Sequence, residues 1–153
     1  YVPSSPAMAG ERAFVGNYGG KLVCVDVAGR RVAWEYGDEK NRDPFFSSPA
    51  VGEDRVVIGS RDRSVHCVRR ADGRRLWTFR TRDEVDGSPI ICGDKVVVGS
   101  SDGRLYVVRI SDGKEVWSYE TGAAIMGSPA WAGGVVVIGA EDGCVYAFGS
   151  ASP

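Results

Sequence analysis

Apolar and polar positions along this chain fall into short blocks separated by glycine-rich punctuation. Between Ser88 and Glu120, "SPIIC" is followed by a Gly-Asp turn and "KVVVGS" by Ser-Asp-Gly. "RLYVVRI" then meets a second Ser-Asp-Gly, and "KEVWSYE" completes the set. β-Branched and aromatic residues suit a pleated strand, and Asp-Gly supplies the positive φ of a tight hairpin. No stretch sustains a 3.6-residue period, so the pattern predicts strands almost throughout and few helices. The runs "VVIG", "VVVG" and "VVVIG" are apolar on consecutive positions, as expected of strands covered on both faces.

The same sentence recurs. Pro6, Pro49, Pro89 and Pro129 each follow a serine, at intervals of 43, 40 and 40 residues. Gly16, Gly59, Gly99 and Gly139 keep those intervals, as do Trp34, Trp77 and Trp117 over three units. The three extra residues of the first interval therefore lie between Trp34 and Pro49, where they lengthen a loop on a fixed scaffold. Four short antiparallel strands in about 40 residues, repeated, specify the blades of an all-β propeller. The repeats run over 4–46, 47–86, 87–126 and 127–153 of a single segment, 1–153. Ser-Pro starts each inner strand in this reading. The last unit lacks an outer strand, which gives fifteen strands and an incomplete or C-terminal part of a larger propeller. An open array bares an apolar blade face at each end, so self-association is one expected behaviour.

Nineteen basic against twenty acidic residues leave a net charge of −1, which gives no electrostatic footprint for nucleic acid. No apolar run approaches the roughly 20 residues of a membrane span, so direct membrane insertion is not expected. Cys24, Cys67, Cys92 and Cys144 are far apart with no CxxC pair, and the chain has one histidine, so no zinc site is predicted. Cys24 and Cys67 share a register with Val107 and Ala147 and read as small core side chains. Cys144 is the thiol expected to be exposed. Asp72, Asp102, Asp112 and Asp142 each precede glycine, where turn chemistry accounts for them. His66 shares its register with Val23, Tyr106 and Tyr146 and reads as a packed residue, not a base. "GNYGG" at 16–20 has no following helix to complete a phosphate loop. No catalytic residue, metal or cofactor is therefore expected.

The words Ser-Pro, Val-Val-x-Gly-Ser, Asp-Gly-x-Leu-Tyr and Asp-Gly-Lys-x-x-Trp, clearest over Ser88 to Trp117, resemble the pyrroloquinoline-quinone (PQQ) type propeller repeat. That family includes quinoprotein dehydrogenases and BamB-like assembly factors. The resemblance implies that Trp34, Trp77 and Trp117 dock between blades, beside the glycine of the turn preceding each. It also implies rings of about six to eight blades, and it favours the cell envelope, although unpaired cysteines would equally suit the cytoplasm. The quinone and calcium of the dehydrogenases need clustered acidic and Asn ligands that these inner strands do not present.

In such a blade the inter-blade loops and the loops between second and third strands share one face. There the repeats diverge most. Tyr18, Arg42, Phe46, Arg61, Arg63 and Arg82 form the candidate binding patch, since arginine and aromatic residues are the currency of protein interfaces. The expected function is a non-enzymatic scaffold for a protein or peptide partner, or for further copies or blades of the same propeller. A fragment of a quinone- and calcium-dependent dehydrogenase is the enzymatic alternative. Replacing Arg61 and Arg63 together is expected to weaken binding and leave stability unchanged.

Overall fold

The computed structural model describes residues 1–40 and 42–149. Four antiparallel sheets follow one another, each built from strands in sequential order. Blade 1 holds β1 (Ala7–Ala9), β2 (Arg12–Gly16), β3 (Leu22–Asp26) and β4 (Arg31–Tyr36). Blade 2 holds β5 (Ala50–Val51), β6 (Arg55–Ser60), β7 (Ser64–Arg69) and β8 (Arg75–Arg80). Blade 3 holds β9 (Ile90–Cys92), β10 (Lys95–Gly99), β11 (Arg104–Arg109) and β12 (Glu115–Glu120). Blade 4 has three strands, β13 (Ala130–Ala132), β14 (Val135–Gly139) and β15 (Val145–Gly149). The all-β propeller architecture read from the repeats is the observed one, and no helix occurs among the described residues.

The inner strands β1, β5, β9 and β13 lie side by side in succession, so the sheets radiate from a common axis. They are only two or three residues long, shorter than the sequence implies. The reason lies in the Ser-Pro words. Proline has no N–H for a ladder, and the serine before it is engaged elsewhere. The N–H of Ser5 donates to Ser48 Oγ (2.9 Å), that of Ser48 to Ser88 Oγ (2.9 Å), and that of Ser88 to Ser128 Oγ (3.1 Å). Ser-Pro therefore stitches blade to blade and does not begin a strand.

Between blades the core forms as separate slabs, one per interface. On β6, Val56 and Ile58 face blade 1 while Val57 faces blade 3, and all three are fully buried. This explains the unbroken valine runs: a sheet covered on both faces has no polar side to alternate with. Burying one such side chain contributes about 1.5–3 kcal/mol. On the edge away from the variable loops, arginine and tryptophan lock blade 1 to blade 2 and blade 2 to blade 3. Arg12 Nη1 and Trp34 Nε1 both donate to the carbonyl of Arg70 (3.4 and 3.1 Å). Arg55 Nη1 and Trp77 Nε1 repeat this on Ile110 (2.7 and 2.8 Å).

Candidate functional site

The turns between second and third strands and the loops between blades converge on one face, tied by a repeating backbone scheme. The N–H of Tyr18, Arg61, Ser101 and Glu141 donates to the carbonyl of Tyr1, Pro44, Glu84 and Ala124 respectively. The N–H of Phe45, Val85 and Ile125 reaches back to the previous blade, onto Asn17, Ser60 and Ser100. Each loop is thus held at both ends, and what varies is the side chain it displays.

Three of the six candidate residues meet. The Tyr18 and Phe46 rings pack edge to face at 6.3 Å, and Tyr1 extends the row against Tyr18 at 5.4 Å. The Arg61 guanidinium lies over the Phe46 ring, 4.3 Å from its centre. It also forms a two-pronged bond to Asp86, Nε to Oδ1 at 2.9 Å and Nη2 to Oδ2 at 2.7 Å. Glu84 stands 3.5 Å away on its other side. The hydrogen bond to Asp86 leads the causes that raise the Arg61 pKa, so the cation is permanent. Asp86 is 4 % exposed at its side chain. Arg61 therefore holds a buried carboxylate, and removing it strands that charge. This corrects the expectation that replacing Arg61 leaves stability unchanged.

Arg42, Arg63 and Arg82 stand apart from that cluster. All are exposed, and among the described residues none of their side chains forms a salt bridge. Arg42 lies beside the Gly20 turn, and Arg82 donates its N–H to Asp102 (2.9 Å). Arg63 has a φ of 67°, at the register where the other units have Gly20, Gly103 and Gly143 at 73°, 80° and 80°. A non-glycine residue there costs roughly 1–2 kcal/mol. Strain of this kind is retained chiefly where the displayed side chain has a task.

Behind the patch, at the blade 1–blade 2 seam, is a polar relay that the repeat comparison did not single out. Tyr36 Oη and His66 Nδ1 are 2.9 Å apart, and His66 Nε2 and Asp62 Oδ2 are 3.0 Å apart. Asp62 Oδ1 is buried with no hydrogen-bond partner among the described residues. Burial pushes the Asp62 carboxyl up, but the bond and charge of His66, with the Ser64 and Ser60 hydroxyls nearby, outweigh it and the net shift is downward. Burial raises the Tyr36 phenol. At the next seams Phe79 faces Tyr106 and Tyr119 faces Tyr146, and these tyrosines bond directly to Asp102 (2.7 Å) and Asp142 (2.5 Å). At the first seam the hydroxyl is on the outer strand (Tyr36), at the second on the third strand (Tyr106), and at the third on both (Tyr119 and Tyr146). That compensation was the available signal. A cavity of about 570 Å³ opens beside the relay, edged by Tyr36, Lys40, Phe45, Asp62 and Arg75.

The tryptophans divide similarly. The Trp34 ring covers Gly73 and that of Trp77 covers Gly113, each glycine in the turn of the following blade and not, as expected, of its own. Trp117 is 41 % exposed and packs against Phe148 (5.2 Å). The cysteines are unpaired: Cys24 and Cys67 are buried, Cys92 is half-buried and Cys144 is exposed. Burial pushes the Cys67 thiol up to about 12.

A quinone with its calcium needs several oxygen ligands converging on one point. Among the described residues no three His, Cys, Asp or Glu side chains come together. Asp86, the buried carboxylate at the head of an inner strand, is already neutralised by Arg61. The residues present do not fit that cofactor.

The family model described as outer membrane protein assembly factor BamB matches residues 38–152. The crystal structure of BamB from Moraxella catarrhalis superposes with a TM-score of 0.84 at 18 % identity, over 97 % of this chain and 50 % of that one. The computationally designed Ika4 protein gives 0.85 at 18 % identity, over 97 % of this chain and 91 % of that one. The quinohemoprotein alcohol dehydrogenase of Comamonas testosteroni gives 0.80 at 13 % identity, over 92 % and 29 %. No curated protein sequence matches. At these identities the structural likenesses show the fold alone, and the chain spans half the length of the BamB it resembles.

Proposed function

The chain belongs to the BamB-like family of PQQ-type propeller-repeat proteins, and from that premise we propose that it is a non-enzymatic scaffold holding a protein or peptide partner on its loop face. One observation carries this reading: Tyr18, Phe46 and Arg61, all departures from the repeat, meet as a stacked aromatic–guanidinium ridge anchored by Asp86. Rigid aromatic and arginine anchors in a fixed frame are what interface hot spots consist of. The strained, exposed Arg63 and the unbridged Arg42 and Arg82 add positive charge elsewhere on the loop face. The partner chemistry that fits is an extended segment with an aromatic or aliphatic side chain flanked by carboxylates. The family's description as an assembly factor, work that requires gripping other proteins, agrees with this.

The test is selection of a displayed random-peptide library on the immobilised chain. The expected winners are acidic, aromatic-containing peptides whose affinity falls at least tenfold on Tyr18→Ala or Arg63→Ala/Arg82→Ala, with unchanged thermal melting. Failure to enrich any peptide, or enrichment indifferent to those changes, would sink the proposal. Added quinone and calcium should leave the absorbance of the mixture the sum of its parts, and a new protein-dependent band would favour the dehydrogenase alternative.

A further inference from the structure

At the head of the third strand, blades 1 and 3 each carry a cation that is satisfied within its own sheet. In blade 3 Arg104 stands opposite Glu120 on the outer strand and forms an ion pair with it. In blade 1 Lys21 takes the same register, and its Nζ donates to the carbonyl of Gly37 (3.2 Å). Blade 2 breaks the scheme. Ser64 replaces the cation, and the residue opposite it on β8 is Arg80. The positive charge has moved to the outer strand and lost its acceptor: among the described residues Arg80 forms no salt bridge.

Arg80 lines a cleft of about 350 Å³ at the seam between blades 2 and 3. Arg82, just past the end of β8, lines it too, and Arg104 comes from the opposite wall. The Phe79 and Tyr106 rings, edge to face at 5.2 Å, join the two blades there. Asp102 fixes the backbone on both sides. Its Oδ2 accepts the N–H of Arg82 (2.9 Å) and the Tyr106 hydroxyl (2.7 Å), and its Oδ1 accepts the N–H of Arg104 (2.9 Å). Burial and the bond to Asp102 raise the Tyr106 phenol, while the Arg104 and Arg82 cations both pull against the rise, as two guanidinium groups near one hydroxyl must.

Every carboxylate at this cleft is already in use. Asp102 has three protein donors, Glu120 has Arg104, and Glu115 accepts the Ser118 hydroxyl (2.8 Å). The hydroxyl protons are spent as well, since Thr81 donates to the carbonyl of Asp83 (2.7 Å) and Tyr106 to Asp102. What remains is a pair of exposed, unbridged guanidinium groups, Arg80 and Arg82, beside a third on Arg104. Like charges gathered in this way repel one another and do nothing for the fold. Donor geometry decides what would neutralise them. A carboxylate matches one guanidinium fork, whereas the three terminal oxygens of a phosphate monoester accept two forks at once. Its charge of about −1.5 to −2 at pH 7 also offsets two cations where a carboxylate offsets one. We propose that the cleft is a binding site for a phosphate monoester, gripped by Arg80 and Arg82 with Arg104 at its side. Its occupancy does not depend on the peptide proposed for the loop face.

Isothermal titration calorimetry with inorganic phosphate at low ionic strength, against a chloride blank of equal ionic strength, tests it. One saturable site is expected, with binding about tenfold weaker in Arg80→Gln and in Arg82→Gln and none in the double variant. Both side chains are exposed and unbridged, so melting temperatures should stay at the wild-type value. Arg30→Gln/Arg42→Gln removes the same net charge from exposed positions outside the cleft and should leave phosphate binding unchanged. Acetate, with its single carboxylate, should bind at least about tenfold more weakly than phosphate. Absence of a saturable site would overturn the proposal, and so would an equal loss in the Arg30/Arg42 variant, which would reduce the effect to overall charge. Acetate binding as tightly as phosphate would overturn the ligand class. A short peptide carrying phosphoserine then separates the sources of the group, both of which uphold the site. Tighter binding than inorganic phosphate assigns it to a modified protein, and equal or weaker binding to a free small monoester.

Discussion

Arg61 and Asp86 can be exchanged for a pair the protein already contains. Ser101 and Met126 occupy the same two registers one blade later, with Ser101 Oγ 3.2 Å from Met126 Sδ. Arg61→Ser alone leaves the Asp86 carboxylate buried without its counter-ion. Breaking such a pair costs about 3–5 kcal/mol, and the partial exposure of Arg61, 29 % at its side chain, places this one at about 3. Loss of the Phe46 stacking adds about 0.5–1 kcal/mol. Asp86→Met alone costs about 1 kcal/mol, because Arg61 keeps Glu84 and solvent. The double variant removes both charges together and is expected within about 1 kcal/mol of wild type, since replacing a whole ion pair by neutral packing is close to neutral. The cycle therefore carries a coupling of about 3.5–4 kcal/mol. At roughly 2–4 °C per kcal/mol for a chain of this size, Arg61→Ser lowers the melting temperature by roughly 7–16 °C and adding Asp86→Met recovers most of it. Urea titration of the four proteins measures the coupling directly. If the two losses add to within about 0.5 kcal/mol, the ion pair is not the buried unit argued above.

Tyr36→Phe strands the His66 ring and is expected to cost about 1–3 kcal/mol in urea titration. His66→Tyr added to it recovers most of the loss by rebuilding the Phe79–Tyr106–Asp102 arrangement, and no recovery would refute the compensation. Gly93→Ala and Gly113→Ala both place alanine at positive φ (59° and 71°), but only Gly113 faces an indole, with Trp77 Cδ2 2.6 Å from the added Cβ. The first should cost about 1–2 kcal/mol, and the second clearly more with altered tryptophan emission; equal costs would discount the docking. The folded pKa of Asp62 is depressed, so its contribution to stability is present above the unfolded value of about 3.9 and is lost as pH falls through the folded one. Acid titration of the melting temperature should therefore be shallower below about pH 4 in Asp62→Asn, and parallel curves would contradict the shift.

The frame was legible because it depends on one residue type per register. Proline after serine, glycine closing the second strand and tryptophan in the outer strand each recur at a fixed interval, and each has a repeated contact in space. The contact itself was less legible. Nothing in a single unit says that the Trp34 ring reaches Gly73 of the following blade, or that the Ser48 N–H leaves its own sheet for Ser88. Repeat arithmetic identifies equivalent residues but not which of them touch: the Ser-Pro serines bond to their own equivalents in the next blade, whereas Trp34 meets a different register there.

The candidate patch was half legible for the same reason. Read one register at a time, Pro3, Phe46, Asp86 and Met126 look like unrelated decoration, and so do Tyr18, Arg61 and Ser101. Read as pairs across a seam, they form matched sets: Arg61 with Asp86 and Ser101 with Met126, each 25 residues apart. The relay obeys the same logic, since Tyr36 carries the hydroxyl that His66 lacks and Phe79 lacks the one that Tyr106 carries. A buried charge or lone hydrogen-bonding group at a seam is retained when its partner across the seam changes with it, because uncompensated it costs more than the pair contributes. Divergence between blades is therefore of two kinds. Where a partner across the seam has changed in step, as at His66, the difference maintains the frame, and at Arg61 it does so while also building the ridge with Phe46. Where no partner has changed, as at the strained and exposed Arg63, the frame gains nothing from it, and the side chain is free for something outside the fold.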